Sequence, residues 1–211
     1  SGGQDRNEEL LGHKPFLVIS DYLTKNGIAV LRFDDRGIAQ STGDHSKATS
    51  EDFAKDVLSA VEFLKGRKEI DKTKIGLIGH SEGGMIAPLA AVQSKDVAFI
   101  VMMAGLGIPG DSILYLQGAL IQHAEGTSEE EIQKSVKTQR EIFSIVKNSS
   151  DDQKLDKDLR DKFYKEYSEM TEEEKKKLGD PEVYLNMQIK TITSQWFKYF
   201  LRFNPTPILE K

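Results

Sequence analysis

The stretch that most constrains this chain is Lys74-Ile75-Gly76-Leu77-Ile78-Gly79-His80-Ser81-Glu82-Gly83-Gly84-Met85-Ile86-Ala87. A short apolar run ends in Gly-x-Ser-x-Gly, and a run of small residues with helical character follows. Strand, sharp turn and helix in that order make a nucleophile elbow. Such a turn holds its serine in a strained backbone geometry, so the flanking residues must be small. Gly79 and Gly83 are both expected to be required because a Cβ there would clash as strand and helix converge. Ser81 is then the candidate nucleophile, and the helix behind it points its N-terminal amides at any developing negative charge. The bland alternative is a glycine-rich strand-to-helix turn with no chemistry.

The flanking sequence sets the class. Pro15 opens a helix with Phe16, Ile19 and Leu23 on one face, ended by Asn26-Gly27. Ile28 to Phe33 reads as a buried parallel strand. Asp34-Asp35-Arg36-Gly37 closes it, and a polar loop runs to about residue 48. Thr49 or Ser50 caps the next helix, with Asp52 completing a capping box if Thr49 is the cap. Phe53, Val57, Ala60, Val61 and Leu64 keep helical spacing. After the elbow and its helix, Ala98 to Ala104 reads as another buried strand. This α, β, α, β, α, β alternation over residues 14–104 implies an α/β class with a doubly wound, mainly parallel sheet.

The composition changes at Gly105-Leu106-Gly107-Ile108-Pro109-Gly110. From Asp111 to about Phe203 the sequence shows helices and no convincing strand. They start near Ser112, at Thr127 or Ser128, ahead of Leu155, at Thr171 and at Asp180-Pro181, the last running through Trp196 to Phe203 as one element. The domain reading is therefore a core over residues 1–106, an inserted all-helical lid over 107–203, and a truncated return to an incomplete core over 204–211. The aromatics Trp196, Phe197, Tyr199, Phe200 and Phe203 are expected to pack the lid onto the core, with an apolar wall for a substrate as the sharper alternative. Glu129-Glu130-Glu131 and Lys175-Lys176-Lys177 read as solvated helix faces.

Composition narrows the function. A net charge of -5 over 211 residues gives no electrostatic case for nucleic acid. No apolar run reaches the roughly 18 residues of a membrane span. Without cysteine there is no thiolate nucleophile and no Cys-ligated metal. The histidines are too scattered for a metal-ligand cluster, and no cofactor is implied.

The polar opening Ser1-Gly2-Gly3-Gln4-Asp5-Arg6-Asn7-Glu8, the strand end Leu31-Arg32-Phe33-Asp34-Asp35-Arg36-Gly37, and Gly79-His80-Ser81-Glu82-Gly83-Gly84 occur together in this order. The set resembles the α/β-hydrolase superfamily, nearest to bacterial carboxylesterases of the serine aminopeptidase-like, S33-type group (the EstD-like and cinnamoyl-esterase-like proteins). The resemblance covers nearly the whole chain. It implies an α/β-hydrolase fold and a serine ester hydrolase acting on a small-molecule ester through Ser81. It also implies an oxyanion hole from the amide of Glu82 and one from the Gly3-Gln4 loop, Gln4 preferred. Asp34-Asp35-Arg36-Gly37 matches a structural turn of the family, although Ala39-Gln40-Ser41 departs from its usual continuation.

The fold orders its triad as Ser, acid, His along the chain. Residues beyond 211 are expected to supply the acid and the histidine, and strands are expected ahead of the oxyanion loop, so the chain reads as a fragment with little or no turnover alone. His80 is expected to point away from the hydroxyl in a structural role. His13 and His45 read as loop residues and His123 as a helix-face residue. Asp111 and Asp180 are available acids that nothing pairs with a histidine. Aminopeptidase and thioesterase activities stay open, because an elbow reports acyl transfer and not the leaving group. The rival from another class is a non-catalytic module whose open sheet edge self-associates or pairs with the missing C-terminal part. A bacterial setting follows from the resemblance, with the compartment, periplasmic, secreted or cytoplasmic, undetermined.

Overall fold

A computed structural model of the protein describes residues 3–211, so Ser1 and Gly2 of the glycine-rich opening lie outside the described residues. The chain divides into two compact units, residues 1–107 with 205–211, and residues 108–204.

In the first unit, α1 spans Pro15–Lys25 with the proline in its first turn and Asn26 as its C-cap. It is followed by α2, Ser50–Lys65, where the Asp52 carboxylate accepts both the N–H and the hydroxyl of Thr49 at 3.1 Å. That arrangement is the expected capping box. Next come β1, Gly76–His80, then α3, Gly83–Ala91, then β2, Phe99–Met103, with α10, Thr206–Leu209, closing the unit. The two strands run parallel in register, Gly76 opposite Phe99 and His80 opposite Met103. Helix α3 packs on both strands and on α2. Its apolar face and theirs bury Ala54, Val61, Ile75, Met85 and Ala90.

Two expectations fail here. Ile28 to Phe33 forms no ladder among the described residues, and Ile28, Val30, Leu31 and Phe33 are exposed. The strand at 99–103 is present but not buried: Phe99 is 54% and Val101 42% exposed. An apolar run reports a residue's preference for burial, but a ladder needs a neighbouring backbone, and among the described residues only one strand pair exists.

The second unit is helical: α4 Gly110–Ala124, α5 Glu129–Asn148, α6 Asp152–Glu169, α7 Glu172–Leu178, α8 Pro181–Ile192 and α9 Gln195–Arg202. Its core gathers Phe143 and Val146 of α5, Leu159 of α6, Leu185 of α8 and Leu201 of α9. The expected single last helix is two. The Ser194 hydroxyl accepts the Phe197 N–H at 3.2 Å and starts α9 as an N-cap, because a serine side chain competes with the backbone for helix donors. Phe197 then packs edge-on against Phe143 at 5.5 Å, and Trp196 stacks on Phe200 at 5.3 Å, contacts made inside this unit. Lys175 and Lys177 pair with Glu172 and Glu173 along the exposed face of α7. Glu131 does more than face solvent: it closes the capping box on Ser128.

Candidate active site

The corner between β1 and α3 is built by its sequence. Hydrophobic β1 ends at His80, and the Ser81 N–H donates to Met103 O at 2.9 Å, one step past the last ladder pair. Ser81 then turns left-handed, φ +53°, a conformation that side-chain-bearing residues seldom adopt. Its carbonyl accepts the Gly84 N–H at 2.9 Å, so the helix begins immediately. Ser81 is half-buried.

The two glycines of Gly-x-Ser-x-Gly are not equivalent, which corrects the sequence expectation. A Cβ on Gly79 would stand 1.9 Å from the Gly83 carbonyl oxygen, so strand and helix meet there. A Cβ on Gly83 would meet nothing within 4 Å. The second close approach is at Gly84, where a Cβ would lie 2.5 Å from the Gly105 Cα at the end of β2. Gly83 is a carbonyl that needs room, not a missing side chain.

Three polar segments surround the corner. Glu82 is buried, and its carboxylate accepts the Ser50 hydroxyl at 2.7 Å, tying the first residue after Ser81 to the start of α2. The turn at 34–37 is tied down by ion pairs and hydrogen bonds. Asp34 is buried and accepts Arg6 Nε at 2.9 Å, Arg6 Nη2 at 2.6 Å and the Arg6 N–H at 2.9 Å. The hydrogen bonds from Arg6 hold the Asp34 carboxyl far below the usual carboxylate range. Arg36 makes a two-point pair with Asp56 at 2.9 and 2.7 Å. Gly37, φ +71°, passes so close to Gly43 O that a Cβ would sit 2.9 Å from it.

The opening loop lies against this turn. Gln4 exchanges two hydrogen bonds with Asp35: the Gln4 N–H donates to Oδ2 at 2.9 Å, and the Asp35 N–H donates to Gln4 O at 3.1 Å. The Gln4 amide, the preferred second oxyanion donor, is therefore directed at the Asp35 carboxylate. Burial pushes the Asp35 carboxyl up, against the pull of that hydrogen bond. Gly3 faces His45, whose Nε2 would be 2.9 Å from a Gly3 Cβ. That Nε2 is buried with no hydrogen-bond partner among the described residues, and the ring stacks on Phe53 at 5.0 Å.

The remaining histidines separate. His80 Nδ1 lies 3.1 Å from Glu8 Oε1, a pairing that sequence reasoning missed because 72 residues separate the two. His13 forms a backbone bridge with Leu10. His123 is exposed on α4 in the second unit, where Asp111 pairs with Lys147 and Asp180 caps α8 through the amides of Glu182 and Val183. Among the described residues no three His, Asp or Glu side chains gather into a metal-binding group, and no helix is long and apolar enough to cross a membrane.

Comparison with known proteins adds the following. A profile of the family described as serine aminopeptidase, S33, matches residues 15–177. Esterase EstD of Thermotoga maritima is 32% identical over 122 residues, 56% of this chain and 29% of that protein. Thiohydrolase aneE of Aspergillus aculeatus is 36% identical over 88 residues, 41% of this chain and 28% of that protein. An uncharacterized 31.7 kDa protein of the traX-finO intergenic region of Escherichia coli is 33% identical over 78 residues, 37% of this chain and 27% of that protein. The matched segments thus span under a third of these relatives.

Proposed function

Because the chain belongs to the serine aminopeptidase, S33, family of α/β-hydrolases, we propose that it carries the nucleophile elbow of a serine carboxylesterase, with Ser81 as the nucleophile. The observation that carries this reading is the left-handed Ser81, φ +53°, at the corner of β1 and α3, with Gly79 pressed against the Gly83 carbonyl.

The chemistry follows from that placement. The Ser81 oxygen attacks the ester carbonyl carbon as a base takes its proton, and the carbonyl π pair moves onto oxygen. The Glu82 amide, at the start of α3, is the first oxyanion donor. The second comes from the Gly3-Gln4 loop, and the Gln4 amide serves once it exchanges the Asp35 carboxylate for the oxyanion. Collapse of the tetrahedral adduct breaks the bond to the alcohol, which leaves with the proton held by the base, and water releases the acid by the same steps. Fixed donors of this kind are each worth roughly 10²–10³ in turnover.

The base and its orienting acid are assigned to a histidine and an aspartate outside residues 1–211. His80 is engaged by Glu8, and His45 stacks on Phe53. Helices α4 to α9 are assigned as the lid. The likeness to a thiohydrolase favours thioesters as a second acyl donor, since an elbow does not select the leaving group. A fluorophosphonate probe tests the reading. It should label Ser81 in a chain extended through the assigned aspartate and histidine, label the 211-residue chain weakly, and label no Ser81→Ala variant. An extended chain left unlabelled refutes it.

A second reading rests on the exposed strands. Ile78 is 41% exposed, beside Phe99 and Val101, and an open apolar edge invites pairing with a strand of another chain. A monomer of 23.7 kDa at high concentration, unfolding cooperatively, counts against it.

A further inference from the structure

Glu8 combines three properties that packing alone does not require together. Its backbone is left-handed, φ +52°, although it carries a long side chain. Its carboxylate is mostly buried, with 14% of the side chain exposed. It reaches 72 residues along the chain to His80 Nδ1 at 3.1 Å, and His80 is the residue immediately before Ser81. Strained residues persist where the surroundings over-determine them, and the surroundings here do so. The Asp5 carboxylate accepts the Asn7 and Glu9 amides at 3.0 and 3.1 Å, winding the loop into a tight turn with Glu8 at its tip. Arg32 Nη1 donates to Arg6 O at 2.9 Å from outside that turn. Phe16 donates its N–H to Asn7 O at 3.3 Å, and its ring lies 6.4 Å from the His80 ring.

The loop at residues 3–9 is therefore held along its length, through Arg32 and Phe16 in its middle and at both ends. One end is bonded to the 34–35 turn through Gln4 and Arg6. The other end is bonded to the end of β1 through Glu8. We propose that Glu8 is a positioning residue for acyl transfer: by holding His80 Nδ1, it anchors the Glu8 end of the loop beside Ser81, so that the Gln4 amide, on leaving Asp35, meets the oxyanion as its second donor. This inference rests on the esterase reading of Ser81. An imidazole whose Nδ1–H is given to a carboxylate has a fixed tautomer and ring plane. Release of that ring loosens the loop at the end that adjoins the nucleophile.

The test uses full-length protein containing these residues, with a p-nitrophenyl ester as substrate and a fluorophosphonate titrating the competent serines. Glu8→Ala should lower kcat per titrated site about 10- to 100-fold with KM within about threefold, since a displacement on the order of 1 Å can cost about 10²-fold. Glu8→Gln keeps an oxygen that accepts from Nδ1–H, so its kcat should stay within about threefold of wild type. A merely structural Glu8 would reduce the number of titratable sites and the melting temperature but leave kcat per site unchanged, which would overturn the proposal. So would a Glu8→Gln variant as slow as Glu8→Ala. Wild-type protein that turns over no ester and takes no probe would refute the Ser81 reading itself, and this inference with it. Normal wild-type turnover with an unaffected Glu8→Ala would refute this inference alone.

Discussion

Replacement of Gly79 by alanine is the sharpest perturbation of the corner, because the space it needs is measurable. The new Cβ would lie 1.9 Å from the Gly83 oxygen, 2.2 Å from its carbonyl carbon and 2.8 Å from the Gly84 nitrogen. All three are backbone atoms, so no side chain can swing aside. Relief requires α3 to withdraw from β1 by more than about 1 Å, whereas close-packed interiors resist even one added methylene. The same movement would pull Gly84 off Gly105 and loosen the Ser81 N–H from Met103 O. Overpacking typically costs about 1–3 kcal/mol, and a contact this short against main chain belongs at or above the upper end, about 3 kcal/mol. For a chain of this length that is a fall in melting temperature of about 6–12 °C. Gly83→Ala is the control. It meets no atom within 4 Å and sits at the first position of α3 without a positive φ. It should be neutral or stabilising by about 0.5 kcal/mol, through the reduced freedom of the unfolded chain. Urea unfolding followed by far-UV circular dichroism measures both. A Gly79→Ala protein within about 0.5 kcal/mol of wild type, or a Gly83→Ala protein equally damaged, would refute the account of the corner.

The adjacent aspartates should respond to acid in opposite senses. Asp34, its pKa depressed by Arg6, stabilises the fold above its unfolded value of about 3.9. The deficit of Asp34→Asn against wild type in urea midpoint should therefore be full at pH 7 and close as the pH falls below about 4. Asp35, its pKa raised by burial, costs stability while ionised. Asp35→Asn, which keeps an acceptor for the Gln4 amide, should equal or exceed wild type at pH 7, and the gap should vanish below about pH 4. Ser128→Ala removes both hydroxyl contacts of the α5 capping box and should cost about 1 kcal/mol by the same assay. Leu159→Ala, at a site with no exposure in the second unit, should cost about 2–5 kcal/mol. Emission of Trp196, the single tryptophan and a residue of the same unit, should report the earlier transition.

What could be read in advance was local. The capping box of Thr49 and Asp52, the proline start and asparagine end of α1, the starts of α5, α7 and α8, and the strand–serine–helix corner all follow from residues within four positions of each other. Hydrogen-bond competition and backbone sterics act at that range. The break between α8 and α9 is also local, but the apolar spacing continues across Thr193-Ser194 and masks it, while the capping hydroxyl of Ser194 interrupts the helix. Strand pairing at residues 28–33 could not be read at all. An apolar run fixes which residues seek cover and says nothing of whether a neighbouring backbone supplies it.

The polar opening is where local reading ran out, for a physical reason. Its residues show no hydrophobic period, so it reads as a loop. Yet Arg6 bonds Asp34 across 28 positions, Gln4 bonds Asp35 across 31, and Glu8 bonds His80 across 72. Each bond is worth making only after α1, β1 and the 34–37 turn have been brought together by burial of apolar surface elsewhere. The loop therefore takes its shape from the fold instead of contributing to it. In the esterase reading the Gln4 amide must leave Asp35 before it can serve an oxyanion, while Arg6 and Glu8 keep their partners and hold the rest of the loop. The cost of that exchange falls when Asp35 takes a proton, because a neutral carboxyl accepts a weaker hydrogen bond than a carboxylate. Burial raises the Asp35 pKa, so a falling pH eases that exchange sooner than it would at an exposed aspartate.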